Sequence, residues 1–229
     1  MKRSYINRII LESAQFMAQH GFELPPFARR PAESWKMSGC DYEERRKNKL
    51  GWDITDFGSG DFLKIGLLLF TLRNGNAREA EGAKPYAEKI MIVQEGQITP
   101  MHFHWAKMED IINRGGGNLL IQVYNSTIGE TLADTPVVVS VDGYRREIPA
   151  GETLRLCPGE SITMSRKLYH SFWGEPGYGT VLVGEVSQVN DDDVDNRFLE
   201  LASRFPPIEE DEEAQFLLCN EYPLSLIHI

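Results

Sequence analysis

The feature that most constrains the fold is a series of short, β-rich segments between residues 62 and 189, with no helical pattern between them. Turn residues separate the segments, and they include Asp142-Gly143, a pair typical of a tight hairpin. Many short strands at close intervals predict an all-β core built as an antiparallel sandwich or barrel. The segments are FLKIGLLLFTL (62–72), AEKIMIVQ (87–94), NLLIQVYN (118–125), PVVVSV (136–141), REIP (146–149), ETLRL (152–156), SITM (161–164) and GTVLVGEVSQV (179–189).

The N-terminal part has a different pattern. Apolar residues recur at helical spacing between residues 6 and 17, behind Ser4 as a possible N-cap, and His20-Gly21 can end that helix. A second helix is expected within residues 31–49, with a break near Ser38. We therefore predict a helical extension over residues 1–60 that packs on a β-barrel domain over residues 61–223.

Two segments near the C-terminus depart from the strand pattern. Residues 190–213 are acidic and contain proline, which predicts a long loop with a short helix near residues 195–203. The last six residues, LSLIHI (224–229), follow a polar segment abruptly. They can be back-translated as the end of a transposon-derived sequencing adapter, so we expect this tail to be non-native.

Charge and cysteine content restrict the functional classes. The net charge of −10 argues against nucleic acid as a general partner. No signal peptide is visible, and the longest apolar run, residues 65–70, is too short to span a membrane. Three widely separated cysteines, Cys40, Cys157 and Cys219, do not form a disulfide framework and fit a reducing cytoplasm.

The segment TPMHFHWAKMEDI, which begins at Thr99, contains the strongest candidate site. In a strand, residues two apart point to the same face, so His102 and His104 would project together while their apolar neighbours pack on the other side. Glu109 follows at a distance that allows it to return on a neighbouring strand. His170 is a further histidine in the β-rich region.

These four residues predict a metal site. Mixed nitrogen and oxygen ligation, with no cysteine nearby, favours Mn²⁺ or Fe²⁺ and leaves Zn²⁺, Co²⁺ and Ni²⁺ open. The surrounding frame resembles the two cupin motifs, although Ser165, Lys167 and Gly174 stand where the second motif has proline, glycine and asparagine. The first frame is Gly96, five residues, His102-x-His104, four residues, Glu109, six residues and Gly116; the second is Gly159, five residues, Ser165-x-Lys167-x-x-His170.

A wider resemblance runs through nearly the whole chain. The segments that carry it are LGWDITDFGSGDF, YAEKIMIVQEGQITPMHFHWAKMEDIINRGGGNL, SVDG, GESIT and LVGEVSQVNDDDVDNRFLE. In these segments the sequence resembles the D-lyxose isomerases of the bacterial cupin type. The resemblance implies a cupin β-barrel of the antiparallel jelly-roll type and a homodimeric cytosolic enzyme that prefers Mn²⁺. It also implies interconversion of D-lyxose with D-xylulose, and of D-mannose with D-fructose, through a metal-stabilised enediolate.

Aldose–ketose isomerisation needs a base that moves a proton between C2 and C1. Glu185 is our first candidate, because it is an acid within a strongly apolar strand and should face a polar pocket. Lys107, between His104 and Glu109, should bind a sugar oxygen or shuttle a proton, beside the metal and the Glu109 carboxylate. The candidates for substrate binding are Lys89, Asp191, Arg197, Phe172 and Trp52, with Asp195 and Trp173 as weaker ones.

Three other functions stay open at this point. One is an Fe²⁺-dependent cupin dioxygenase, which would use the same ligands. Another is a phosphosugar isomerase, for which the glycines at 115–117 could form a backbone nest. The third is a non-catalytic sugar-binding or storage cupin.

Overall fold

A computed structural model describes residues 1–35, 42–76, 83–192, 194–203 and 207–224. Three features of the sequence interpretation therefore lie outside the described residues. They are the break near Ser38, the thiol of Cys40, and the tail after Leu224.

The N-terminal helix α1 spans Arg3–Gln19 and ends at His20, followed by Gly21 with a positive φ of 72°, as the sequence predicts. The predicted cap at Ser4 is wrong. Lys2 is the N-cap, and Ser4 lies in the first turn, where its N–H and hydroxyl donate to the Asp211 carboxylate. A carboxylate from the C-terminal segment thus accepts hydrogen bonds from the first turn of the helix.

In the described residues of the range predicted to hold a second helix (31–35 and 42–49), the helices are short. They are a 3₁₀ turn at Ala32–Trp35 and helix α2 at Glu43–Lys47, and another 3₁₀ turn at Pro26–Arg29 precedes them.

Thirteen strands in the described residues form two antiparallel sheets. The larger sheet has the order β1-β2-β3-β12-β5-β10-β7-β8, and the smaller has the order β13-β4-β11-β6-β9. The strands are β1 Gly51–Thr55, β2 Leu67–Arg73, β3 Tyr86–Val93, β4 Thr99–Phe103, β5 Glu109–Gly116, β6 Leu119–Asn125, β7 Val137–Val141, β8 Tyr144–Ile148, β9 Thr153–Leu156, β10 Ser161–Met164, β11 Leu168–Gly174, β12 Val181–Gln188 and β13 Arg197–Phe198.

The inner faces of the two sheets share one apolar core. Alternate residues of the strands, such as Ile121 and Val123 in β6 and Val137 and Val139 in β7, are buried in it. A second apolar layer lies on the outer face of the larger sheet, where residues of α1 such as Ile6 and Ile10 pack on that sheet. This arrangement confirms the predicted all-β core with helices packed on it.

Local turn chemistry follows the sequence. Asp142 and Gly143 have positive φ values of 49° and 79° and join β7 to β8. Two positive φ values in a two-residue turn match the twist of the flanking strands, and this is why an Asp-Gly pair predicts a hairpin.

Three sequence interpretations of this region need correction. The sheet begins at β1, which the strand pattern missed and which pairs with β2. Glu109 opens β5 in the larger sheet, opposite β4 and not beside it. The short helix expected near residues 195–203 is wrong, because Arg197 and Phe198 pair with β4 as strand β13.

Among the described residues, no helix is long and apolar enough to cross a bilayer. Neither Cys157 nor Cys219 forms a disulfide bond.

Candidate functional site

The three histidines of the motif come together because β4 and β11 are hydrogen-bonded neighbours. Their register places His170 opposite His102, with ring centroids 4.2 Å apart, and His104 lies 5.1 Å from His102. One nitrogen of each ring lies within 4.8 Å of the others. All three side chains are buried, so the rings form a compact group inside the sandwich.

Backbone carbonyl groups orient each ring. The Nδ1 atom of His102 lies 2.7 Å from the Pro100 oxygen, that of His104 lies 2.8 Å from the Asp195 oxygen, and that of His170 lies 3.0 Å from the Leu168 oxygen. A carbonyl oxygen only accepts, so each Nδ1 carries the hydrogen. In a neutral ring of this tautomer, the Nε2 atom carries the lone pair that can bind a cation.

Glu109 reaches the same point from the opposite sheet. Its Oε1 lies 3.0 Å from Nε2 of His170 and 3.4 Å from Nε2 of His104, and it has no hydrogen-bond partner among the described residues. A carboxylate oxygen this close to the Nε2 atoms of His104 and His170 is unfavourable unless a cation or a proton lies between them. The four residues therefore fit a divalent first-row metal.

The charge state of the group agrees with this fit. Burial, with smaller effects from His170 and His104, holds the pKa of His102 well below its usual range, so the ring is neutral. Burial raises the pKa of Glu109, but the Lys107 ammonium and the neighbouring histidines lower it more, and the net pKa is well below the ordinary value.

Lys107 lies at the centre of a second, charged group. Its Nζ lies 2.7 Å from Oε2 of Glu109, 2.8 Å from Oε1 of Glu185 and 3.2 Å from Oδ1 of Asn190. Only 2% of Lys107 is exposed. It is therefore a buried ammonium group between two carboxylates, and one of them, Glu109, also contacts the histidines.

Opposing effects fix the ionisation of this bridge. Burial lowers the pKa of Lys107, but the carboxylates of Glu109, Glu185 and Asp192 outweigh it and raise the pKa above its ordinary value. Burial raises the pKa of Glu185, but Lys107 and then Lys89 lower it to a net value below the ordinary one. Glu185 is thus an ionised carboxylate, as a general base must be.

Lys89 joins the same network from β3. Its Nζ donates to Oδ1 of Asn190 at 2.7 Å and lies 3.5 Å from Glu185 and 3.7 Å from Asp192. The amide oxygen of Asn190 thus accepts hydrogen bonds from both lysines, while Asn74 binds its backbone on both sides. The two ammonium groups are held at a fixed spacing by this one side chain.

Asp195 positions other residues of the site and does not itself line the cavity. Its carboxylate accepts the N–H groups of Ala106 (2.7 Å) and Lys107 (3.1 Å), and its carbonyl oxygen is the group that orients His104. Next to it, Phe198 stacks on the His102 ring at 5.3 Å. The acidic segment after β12 therefore fixes both the turn that carries Lys107 and one face of the histidine group.

These side chains line a small cavity of about 40 Å³ between the sheets. Its lining combines polar and charged groups with apolar residues, and Phe172 is one of the apolar residues. The described lining residues are Phe57, Leu67, Leu69, Lys89, Met91, Thr99, His102, His104, Lys107, Glu109, Ile111, His170, Phe172, Glu185, Asp192, Asn196 and Phe198.

Besides Asp195, four predicted substrate residues do not line this cavity. Trp52 packs against Phe70 in the apolar layer outside the larger sheet, and its Nε1–H donates to Ala28. Arg197 donates from Nε to Glu130, while Asp191 and Trp173 are half-buried outside the cavity lining. Trp173 is adjacent to Phe172 in β11, and adjacent strand residues point to opposite faces of a sheet.

Four polar residues of the site were missed: Thr99, Asn190, Asp192 and Asn196. The sequence signal available for the last three was their position directly after β12, where the chain leaves the strand that carries Glu185. The glycines at 115–117 do not contribute to the site. They lie at the end of β5 remote from Glu109, and a Cβ on Gly116 or Gly117 would strike the carbonyl oxygens of Thr180 or Gly179.

Comparison with known proteins agrees with the geometry. Residues 1–222 match the model of the D-lyxose isomerase family. A curated relative from Escherichia coli O157:H7, named D-lyxose/D-mannose isomerase, is 55% identical over 223 residues and covers 97% of this chain and 98% of the relative. A relative of the same name from Serratia proteamaculans is 54% identical with the same coverage.

Solved structures show the same fold at low identity. A variant of the L-ribose isomerase from Acinetobacter sp. DL28, in complex with L-ribose, has a TM-score of 0.61 at 14% identity. It covers 91% of this chain and 98% of that one. The Cellulomonas parahominis L-ribose isomerase with L-psicose has a TM-score of 0.60 at 17% identity, covering 88% and 94%. These similarities confirm the cupin-type two-sheet fold.

Proposed function

The chain belongs to the D-lyxose isomerase family, and on this premise we propose that it interconverts D-lyxose with D-xylulose and D-mannose with D-fructose. It is a sugar isomerase, so the dioxygenase, phosphosugar and storage alternatives lose their support. The observation that carries the proposal is the meeting, in one cavity, of a cation-binding group with an ionised, lysine-bridged carboxylate.

We propose that His102, His104, Glu109 and His170 hold a divalent cation, with Mn²⁺ the most suitable and Fe²⁺, Co²⁺, Ni²⁺ and Zn²⁺ as alternatives. The Nδ1 contacts that turn each Nε2 atom towards the group, together with the unpartnered Glu109 oxygen, support this ligand set. When bound, the cation supplies positive charge next to the sugar oxygens on C1 and C2, where negative charge develops as C2 loses its proton.

The other residues supply proton transfer and binding. Glu185 removes the proton from C2 and returns it to C1, because its pKa favours the carboxylate and it lines the cavity. The ammonium groups of Lys107 and Lys89 donate hydrogen bonds to sugar oxygens. Phe172 forms an apolar wall against the C–H face of the sugar.

The assembly and location follow the family resemblance. We propose a homodimer that works in the cytoplasm on free monosaccharides, without nucleic acid or membrane partners. The division into a helical extension over residues 1–60, a barrel domain over 61–223 and a non-native tail over 224–229 also stays a prediction.

The test uses the purified protein stripped of metal and then supplied with Mn²⁺. Both conversions are followed for the wild type, Glu109→Gln, His170→Ala and Glu185→Gln. We expect each variant to lose about 100-fold or more in kcat. Glu185→Gln should keep Mn²⁺ affinity, whereas the two ligand variants should lose it.

Asp110→Asn is the matched control. Asp110 adjoins Glu109 in β5 but is not among the residues that line the cavity, so this variant should keep wild-type kinetics. Full activity of Glu109→Gln or His170→Ala would remove the ligand assignment. Normal turnover by Glu185→Gln would remove the base assignment, and no activity of the wild type on either sugar would contradict the proposed function.

A further inference from the structure

Thr99 carries a buried hydroxyl group. The residue is 2% exposed, and its Oγ1 has no hydrogen-bond partner among the described residues. Its backbone carbonyl is satisfied, since it accepts from the Ser171 hydroxyl at 2.7 Å. A buried hydroxyl without a partner lowers stability, so such groups are rare and call for an explanation.

An irregularity in the sheet turns Thr99 towards the cavity. Strict alternation along β4 would put Thr99 on the face of Phe103, opposite to His102. The pairing with β11 shifts, however: His102 lies opposite His170, whereas Thr99 lies opposite Phe172. The four residues from Thr99 to His102 on β4 thus lie opposite only three residues on β11, from His170 to Phe172. This is a β-bulge, and it changes the direction in which the Thr99 side chain points.

The neighbours of Thr99 indicate what it binds. Of the described residues that line the cavity, Thr99 is the only one with a hydroxyl group, and the pairing residue Phe172 is apolar. The charged groups Lys89, Lys107 and Glu185 form ion pairs with one another, whereas the Thr99 hydroxyl has no hydrogen-bond partner among the described residues. The Thr99 hydroxyl is neutral and can both donate and accept a hydrogen bond, and it lies beside an apolar residue. It therefore suits a ligand group that is also neutral and can both donate and accept, such as a hydroxyl group.

We propose that Thr99 is a substrate-binding residue whose hydroxyl exchanges a hydrogen bond with a hydroxyl group of the monosaccharide. The inference rests on the proposed sugar isomerase function and adds a contact to it. Thr99 thereby contributes to the choice of sugar, because a substrate without a hydroxyl at that position leaves Oγ1 unpaired.

The test compares Thr99→Val, which removes the hydroxyl at constant shape, with Thr99→Ser, which keeps it. With Mn²⁺ bound, Thr99→Val should raise KM for the preferred sugar about 3- to 10-fold, the effect of one neutral hydrogen bond. Its kcat should stay within about 2-fold, because a contact equal in ground and transition states acts on KM. Thr99→Ser should have a KM close to that of the wild type.

Stability gives an independent measurement. In the sugar-free protein, Thr99→Val should raise Tm by about 1–4 °C, because an unpaired buried hydroxyl is replaced by a methyl group. A merely structural hydroxyl would give the opposite sign. An unchanged KM, or a lower Tm for Thr99→Val, would overturn the proposal.

The rise in Tm caused by added D-lyxose separates this proposal from the proposed function, since it reports binding without turnover. We expect a smaller rise for Thr99→Val than for the wild type. If the wild type isomerises both sugars and the two rises are equal, only the Thr99 assignment fails. If the wild type isomerises neither sugar, the proposed function fails, and a smaller rise for Thr99→Val still supports the contact.

Discussion

Replacement of Lys107 by methionine removes the buried charge that holds the site together. The ammonium lies 2.7 Å from Glu109 and 2.8 Å from Glu185, and methionine keeps most of the apolar stem. Each attraction amounts to about 6 kcal/mol at an effective dielectric constant of about 20. Loss of the ammonium also removes its own desolvation cost of several kcal/mol, so the expected net loss of unfolding free energy is about 3–5 kcal/mol.

The loss should depend on pH. In the wild type, the pKa values of Glu109 and Glu185 are lowered, so their contribution to stability is present above the unfolded pKa of about 4.3 and is lost as the pH falls through the folded values. In Lys107→Met, burial raises these pKa values with less opposition. The carboxylates then destabilise the fold as the pH rises, so the difference from the wild type is larger at pH 7 than at pH 5.

The assay is urea unfolding of the metal-free proteins at both pH values. Lys2→Met is the control, because Lys2 is exposed and lies 4.0 Å from Glu209, and it should cost less than about 1 kcal/mol. Lys89→Met should lie between the two, since its contacts with Glu185 and Asp192 are longer, at 3.5 and 3.7 Å. An equal loss at both pH values, or a loss for Lys107→Met no larger than the control, would refute the reasoning.

Two further predictions concern the supports of the histidine group. Burial lowers the pKa of His102, so the unfolded chain takes up a proton before the folded protein does as the pH falls below about 6.5. The unfolding free energy of the metal-free protein should therefore fall by about 1.4 kcal/mol per pH unit from this residue alone. In urea unfolding, His102→Gln should reduce this dependence on pH. Asp195→Asn turns an NH₂ group towards the N–H of Ala106 or Lys107. The unfolding free energy should fall by about 1–3 kcal/mol, and kcat should fall as well. The affinity for Mn²⁺ should change little, because the backbone carbonyl that orients His104 remains. The control for this variant is Asp142→Asn. A single oxygen of Asp142 accepts both hydrogen bonds from Ser161, and an amide oxygen can do the same. An equal loss of kcat in the two variants would contradict the role of Asp195.

Much of the site could be predicted from local sequence because it depends on strand periodicity. The two-residue repeat of a strand places His102 and His104 on one face. An acid in an apolar strand is costly unless its surroundings are polar, and this predicted a role for Glu185. Lys107 followed from its position between two of these residues, and the structure brings all of them into one cavity.

Other residues could not be assigned from the sequence, because their contacts cross between strands and sheets. Trp52 and Arg197 have suitable side chains, yet the packing of α1 and the pairing of β13 with β4 direct them away from the cavity. Asp195 lies in a segment whose sequence predicts an acidic loop. Its bonds to Ala106 and Lys107 join segments about 90 residues apart, which no local pattern encodes.

The sequence by itself determined the all-β class, the histidines of the β4 motif and the family, since these depend on residue type and on periods of a few residues. The tertiary structure alone decided that Glu109 approaches from the opposite sheet and that Asn190 and Asp195 fix the lysines and His104. It also decided the direction of Thr99, because a single bulge between β4 and β11 reverses the face that alternation predicts. Register between strands is a long-range property, and a shift of one residue exchanges the inner and outer faces.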